Sequence, residues 1–303
     1  MTQASLSLNT PRHAQRALEE MYDAPVDQTS PSKMGEILIR LGFLKEKQIR
    51  RVLAEQTKNG GQFGEIALRL KYINHDHIHM ALAIQYGYLR NTAKPAALPK
   101  GLVVIRNPNS EAAAKIRLLR TRILTTKKED QLGAFSIAST GYNVKAEYLA
   151  SNLAVSFAQL RRRVLLIDAD LINPKINRFF RLPTRPGLCE ILDGRAELGD
   201  VDLDCAIKNL SILSAGPRRF NPHELLAGDR FKSLLHQTKS AFDIVMVMTS
   251  PGGGDGDAQY VWAATGAALV TARRDVSRRK ELKSLSATLR QLDVDVIGAA
   301  MTR

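Results

Sequence analysis

Apolar residues in the first third of the chain recur at three- and four-residue spacing. In Lys33-Met-Gly-Glu-Ile-Leu-Ile-Arg-Leu-Gly-Phe-Leu44 they fall at Ile37, Leu38 and Leu41, and they continue at Ile49, Val52 and Leu53. This is the pattern of two amphipathic helices joined by a short turn. It repeats without a gap 29 residues on, in Gln62-Phe-Gly-Glu-Ile-Ala-Leu-Arg-Leu-Lys-Tyr-Ile73. The match pairs Gly35 with Gly64, Glu36 with Glu65, Leu41 with Leu70, Ile49 with Ile78, Leu53 with Leu82 and Gln56 with Gln85. One copy is too short to bury its own stripe, so the duplication predicts a small bundle of helical hairpins over residues 31–90. Packing explains the repeat by itself, and a binding role stays open beside it.

The flanks lack this period. Residues 1–30 are rich in Thr, Gln, Ser, Pro and Asp and read as a disordered tail. Residues 91–110 hold Pro, Gly, Asn and Ser in the manner of turns and read as a linker. Beyond it, short apolar runs at 134–138, 164–168, 210–213, 244–248, 268–272 and 294–299 alternate with helical patterns around 148–160, 221–237 and 277–292. Continuous apolar strands separated by helices predict a mostly parallel sheet covered on both faces. The expected architecture is therefore a doubly wound α/β domain over residues 111–303, preceded by the small all-α repeat domain.

Composition narrows the class. With 44% apolar and 24% charged residues in 303, the chain is of ordinary globular type. No apolar run approaches the roughly 18 residues of a membrane-spanning helix. The amino terminus lacks a signal-peptide core and the only cysteines are Cys189 and Cys205, so a cytoplasmic location is expected. The formal charge is +14, of which +10 falls on residues 96–303, with 31 basic against 21 acidic residues. Such a surface favours anions: nucleic acid, acidic lipid, nucleotide or an acidic protein face.

In a doubly wound fold, backbone amides and a helix amino terminus converge on the first strand-to-helix loop, the natural phosphate site. Here that loop is Ser139-Thr-Gly-Tyr-Asn-Val-Lys-Ala-Glu147, and the next strand ends in Asp168 and Asp170. Several segments then act together: Ser151-Asn-Leu-Ala-Val-Ser-Phe-Ala-Gln-Leu160, Leu165-Leu-Ile-Asp-Ala-Asp-Leu171, Arg185-Pro-Gly-Leu188, Leu213-Ser-Ala-Gly216, Asn221-Pro-His-Glu-Leu-Leu226 and Phe242-Asp-Ile-Val245. In order and spacing they resemble the bacterial tyrosine kinases of exopolysaccharide synthesis, within the partition-ATPase class of P-loop proteins. The resemblance covers about residues 111–303.

That resemblance implies a P-loop of the form Gly-x-Gly-Lys-Ser/Thr. Aligned on Asn152-Leu-Ala154, its second glycine falls on Lys145, its lysine on Ala146 and its magnesium-holding hydroxyl on Glu147. Sliding by one residue to place Lys145 at the lysine leaves Val144 for glycine and Ala146 for the hydroxyl. The aspartate implied at the end of a later strand falls on Met248, and Ile172 stands where the family usually has arginine. Lys145, Asp168 and Asp170 are the residues left to meet a nucleotide, and strand-end aspartates also cap turns. A ring-forming Glu-x-x-Arg-x-x-Arg motif implied by the family falls on Ala114, Arg117 and Arg120, without its glutamate. The tyrosine cluster expected of such kinases is not found at Met301-Thr-Arg303.

The helical repeat is similar to the amino-terminal domain of secretion and pilus-assembly ATPases, some of which bind cyclic di-GMP. That resemblance points to Lys33, Gly35 and Gln56 in one copy and Gln62, Gly64 and Gln85 in the other, as a ligand site or a protein-docking surface. Lys33 and Gln62 replace the arginines that open each copy in the family, and neither offers a planar guanidinium fork.

Three further features need weighing. His75, His77 and His79 alternate across helix faces, which favours a solvated helix start over a metal site, and no metal is expected. Gly252-Gly-Gly-Asp-Gly256 reads as a flexible strand-end loop. Arg273, Arg274, Arg278, Arg279 and Lys280 place five charges within eight residues, a candidate docking face for something acidic.

The reading that follows is a non-catalytic, pseudokinase-like regulatory or scaffold subunit of exopolysaccharide synthesis and export. It needs no cofactor and would sit at the inner membrane on a polysaccharide co-polymerase, with an active kinase paralogue as a further candidate partner. An active tyrosine kinase or ATPase using ATP, magnesium and Lys145 is the alternative. A partition-type DNA-binding protein is the third.

Overall fold

The computed structural model describes residues 34–85, 98–126, 133–183, 185–217, 222–251 and 256–302. The tail expected at 1–30 and most of the Gly252–Gly256 loop lie outside the described residues, as do Lys33 and Asn221.

The repeat is visible in three dimensions. Helices α1 (Met34–Arg40) and α2 (Glu46–Asn59) form one hairpin, α3 (Phe63–Arg69) and α4 (His75–Gln85) the other. Each first helix ends in the same turn: the Phe43 N–H donates to the Leu38 carbonyl at 2.9 Å, and the Tyr72 N–H to the Ala67 carbonyl at 3.0 Å. The residue at the bend is left-handed in both copies, with φ +73° at Gly42 and +56° at Lys71. Glycine takes that conformation freely, whereas lysine bears its cost of roughly 1 kcal/mol.

The segment expected to be a linker is packed from residue 98 onward. Helix α5 (Val103–Arg106) is a single turn whose Val104 and Ile105 are buried, with Leu98 and Leu102 beside them. Asn152 holds this segment: its Oδ1 accepts from the Val104 N–H at 3.3 Å and its Nδ2 donates to the Gly101 carbonyl at 2.9 Å. Turn-forming residues on either side masked a four-residue apolar plug. Hairpin residues such as Ile37, Val52 and Met80 share one continuous apolar cluster with this plug and with one face of the sheet.

The large domain continues with α6 (Glu111–Thr126), β1 (Ala134–Ser139), α7 (Ala146–Ala158), β2 (Val164–Ala169), α8 (Ile176–Phe180), α9 (Leu188–Leu192) and β3 (Leu210–Leu213). It ends with α10 (Pro222–Ala227), α11 (Asp229–Ala241), β4 (Ile244–Thr249), α12 (Asp257–Thr265), β5 (Ala267–Arg273), α13 (Arg279–Gln291) and β6 (Asp295–Thr302). The six strands lie in the order β3-β2-β4-β1-β5-β6, every pair parallel. This is the doubly wound sheet the apolar runs predict. The single helix expected over 221–237 is two, because Gly228 is extended and opens α11.

Strands β1, β2 and β4 are buried along their whole length. Phe135 and Phe157 meet edge to face at 6.4 Å on one side of the sheet. On the other, Trp262 is buried and its Nε1 donates to the Thr249 hydroxyl at 3.2 Å. Each such side chain contributes roughly 1.5–3 kcal/mol by leaving water. Among the described residues no helix is long and apolar enough to cross a membrane.

Candidate functional site

The loop joining β1 to α7 runs at the carboxyl edge of the sheet. Gly141 is fully extended, Tyr142–Val144 form one 3-10 turn, and Lys145 turns left-handed at φ 57°, ψ 42° to start α7 at Ala146. A left-handed position before a helix is one that glycine would fill without strain, so Lys145 occupies a glycine-type backbone site. The loop is stitched to its neighbours at both ends. The Thr140 and Ser277 hydroxyls meet at 2.6 Å, and the Thr302 hydroxyl donates to the Val144 carbonyl at 2.6 Å.

Within this frame the first turn of α7 presents Glu147, a residue type the helix macrodipole stabilises. Its Oε2 is buried without a hydrogen bond, and Lys175 Nζ lies 3.9 Å away. The same ammonium donates to the Tyr142 carbonyl at 3.2 Å and stands 5.5 Å from the Tyr142 ring centre. Lys175 therefore crosses from the loop after β2 onto the β1–α7 loop. At that separation and an effective dielectric near 20 the attraction is about 4 kcal/mol before the cost of desolvation. Sequence reading gave Lys175 no role, since its partners lie 28 and 33 residues earlier and no local pattern connects them.

Asp168, the penultimate residue of β2, is fully buried and in register with Met248 of β4. Its carboxyl accepts three backbone N–H groups, from Asp170 at 3.2 Å, Lys175 at 2.9 Å and Ile176 at 2.8 Å. Burial nevertheless pushes its pKa up to about 7, the backbone donors opposing and Asp170 adding to the rise. Asp170 is also raised, mainly by burial, while Lys175 pulls it down. Its Oδ1 accepts the Asn173 N–H at 2.9 Å. The two aspartates thus shape the loop from 170 to 176 and the entry into α8.

The Arg185-Pro-Gly-Leu188 segment is locked against Leu213-Ser-Ala-Gly216. Leu188 and Cys189 N–H groups donate to the Ser214 and Ala215 carbonyls at 2.8 and 2.9 Å. A Cβ on Gly187 would strike the Ser214 carbonyl oxygen, so only glycine fits. Burial raises the Cys189 thiol to about 12, which leaves it inert.

No family model matches the chain. It is 30% identical over 205 residues to the tyrosine-protein kinase YwqD of Bacillus subtilis, which is 67% of this chain and 86% of that one. The chain belongs to the bacterial tyrosine-protein kinase family. It is 33% identical over 197 residues to the tyrosine-protein kinase ptk of Acinetobacter johnsonii, but spans only 27% of that longer relative. In structure it is similar to the kinase domain of the Escherichia coli tyrosine kinase ETK, with TM-score 0.63, 29% identity, 66% of this chain and 79% of that one covered. The chimerical protein CapA2B2 also matches, with TM-score 0.63, 25% identity and coverage of 67% and 91%.

The structure also places the other candidate positions of this kinase-family chain. Arg117 donates to the Pro108 carbonyl at 2.8 Å, and Arg120 to the Ser156 carbonyl at 2.8 Å and hydroxyl at 3.1 Å. Both guanidinium groups are half-buried and make these bonds within the chain. Lys145 is exposed and lines a cleft of about 570 Å³ with Tyr148, Leu119, Arg122 and Met301.

In the repeat, Gly35 and Gly64 serve packing. A Cβ on Gly35 would lie 3.2 Å from Ile49 Cδ1, and one on Gly64 3.2 Å from Ile78 Cδ1. The isoleucine of the following helix sits against each glycine, in the same way in both copies. Gln56 donates to the Gly61 carbonyl at 2.9 Å, Gln62 precedes α3, and Gln85 ends α4. Among the described residues no group of three His, Cys, Asp or Glu side chains is placed to hold a metal. His77 stacks on Phe43 at 3.9 Å, and His79 Nδ1 meets the Arg106 carbonyl at 2.6 Å, so neither is simply solvated. Arg274, Arg278, Arg279 and Lys280 are exposed and Arg273 half-buried, all at the β5–α13 turn.

Proposed function

We propose that this kinase-family chain works without phosphoryl transfer, as a regulatory or scaffold subunit of bacterial exopolysaccharide synthesis and export. The observation that carries the reading is the Glu147–Lys175 contact across the β1–α7 loop. The residues present do not fit magnesium and ATP. A carboxylate stands in the first turn of α7, where a polyphosphate would meet like charge. The nearby ammonium is engaged with that carboxylate and with the Tyr142 carbonyl. Met248 gives the strand beside Asp168 a thioether in place of an oxygen ligand, and a thioether is a poor partner for a hard cation.

The partner is the cytoplasmic face of an inner-membrane polysaccharide co-polymerase, which places the chain at the membrane periphery. The helical repeat serves as the docking element. Binding of cyclic di-GMP to the repeat is the other use of the same surface. An active kinase is the second reading of the large domain, favoured by exposed Lys145 at the mouth of the loop.

Calorimetric titration of ATP with magnesium into the full chain separates the two. Absence of saturable heat supports the scaffold. Micromolar binding with measurable hydrolysis overturns it in favour of the kinase.

A further inference from the structure

The β5–α13 turn gathers more positive charge than any neutral role requires. Arg273 ends β5, Arg274 follows it, Arg278 caps α13, and Arg279, Lys280 and Lys283 lie within its first turn and a half. Two carboxylates lie among these six cations. Asp275 pairs with Arg274 at 3.7 Å, and Glu281 is turned back to accept the Arg278 N–H at 2.9 Å. Val276, at the tip of the turn, is 43% exposed.

Shape selects the occupant. Helix α13 buries Leu285 and Leu289 against the sheet, so its apolar stripe is spent inside the fold and only its charged side faces out. All six cations come from one turn and one helix start, and the β1–α7 loop meets this turn through the Thr140 and Ser277 hydroxyls rather than through a cation. Such a cluster cannot enclose a compact anion, but it can rest on a broad negative surface with an apolar tip at its centre. Clusters of four to eight Lys and Arg are what anionic headgroups attract, each cation strengthening binding roughly fivefold near the surface.

We infer that the β5–α13 turn is a peripheral membrane-binding face that takes anionic phospholipid. This surface is independent of whether the chain transfers phosphate. Binding is electrostatic, with Val276 at the headgroup level.

The test is sedimentation of the full chain with phosphatidylcholine vesicles, with and without phosphatidylglycerol. Binding is expected only where phosphatidylglycerol is present, and it should be lost near ~0.5 M salt as screening shortens the interaction range. Combining Arg278→Gln, Arg279→Gln, Lys280→Gln and Lys283→Gln should lower partitioning at least about 100-fold. An equal change of charge on the repeat, by Arg40→Gln, Lys47→Gln, Arg51→Gln and Lys58→Gln, should leave it within about threefold. All eight side chains are exposed, and thermal unfolding of both variants checks the fold. Equal loss in the two variants, equal binding to phosphatidylcholine alone, or tighter binding to duplex DNA that falls with the same four residues would overturn the assignment.

Discussion

Asp168 and Met248 are register partners on adjacent parallel strands, a fully buried carboxyl beside a buried thioether. Three backbone N–H groups hold the carboxyl, yet burial keeps its pKa near 7.

That elevation has a pH signature. A carboxyl raised above its unfolded value near 3.8 adds stability that is full below that value and is lost as pH rises through about 7. The loss is on the order of 4 kcal/mol. Urea unfolding between pH 4 and pH 8 should show this decline, and Asp168→Asn, which cannot ionise, should flatten it. An equally steep decline in the variant would remove Asp168 as its source.

An aspartate at position 248, where the family resemblance implies one, should make the protein less stable. Met248→Asp places a second buried carboxyl against Asp168, and like charges in a dry site disfavour ionisation of both. A loss of roughly 3 kcal/mol at pH 8, smaller at pH 5, is expected from denaturant midpoints. A variant as stable as the parent at pH 8 would mean that the strand end is wetter than the geometry indicates.

Lys175 and Glu147 should behave as a coupled pair. Lys175→Met leaves the Glu147 Oε2 buried and uncompensated and should cost about 2 kcal/mol, whereas adding Glu147→Gln should recover at least half. A double-mutant cycle in urea measures the coupling, expected near 1–2 kcal/mol. Strict additivity would show that the contact carries no energy.

The repeat offers a backbone test. Gly35→Ala and Gly64→Ala each push a methyl against an isoleucine at 3.2 Å, and each should destabilise by about 1 kcal/mol. Lys71→Gly relieves a left-handed lysine and should be neutral or slightly stabilising. Thermal unfolding of the full chain reads all three. Titration of labelled cyclic di-GMP onto the same protein then tests the repeat as a nucleotide site, and saturable binding in the micromolar range would displace the docking role.

Much of this architecture is legible in the sequence because one force writes it. Buried parallel strands need continuous apolar runs, and those read at 164–168 and 244–248 became strands one residue longer, at 164–169 and 244–249. The 29-residue repeat returned as two hairpins because each stripe needs the other's surface. What escaped prediction depends on contacts distant in the chain. The plug at Val104 and Ile105 is recognisable only once Asn152, 48 residues away, is seen to hold it. The contact of Lys175 with Glu147 and Tyr142 carries no periodic signal at all. The sequence leaves Gly35 and Gly64 open to packing, ligand or partner, and only the structure sets the isoleucines 14 residues further on against them.

Phosphoryl transfer itself is the most direct measurement. The full chain is incubated with magnesium and ATP labelled on its terminal phosphate, and label is followed on the protein and as free phosphate. The expected result is no label on protein and no phosphate release above a protein-free control. Label on tyrosine that disappears with Lys145→Ala would contradict the scaffold reading and establish a working kinase.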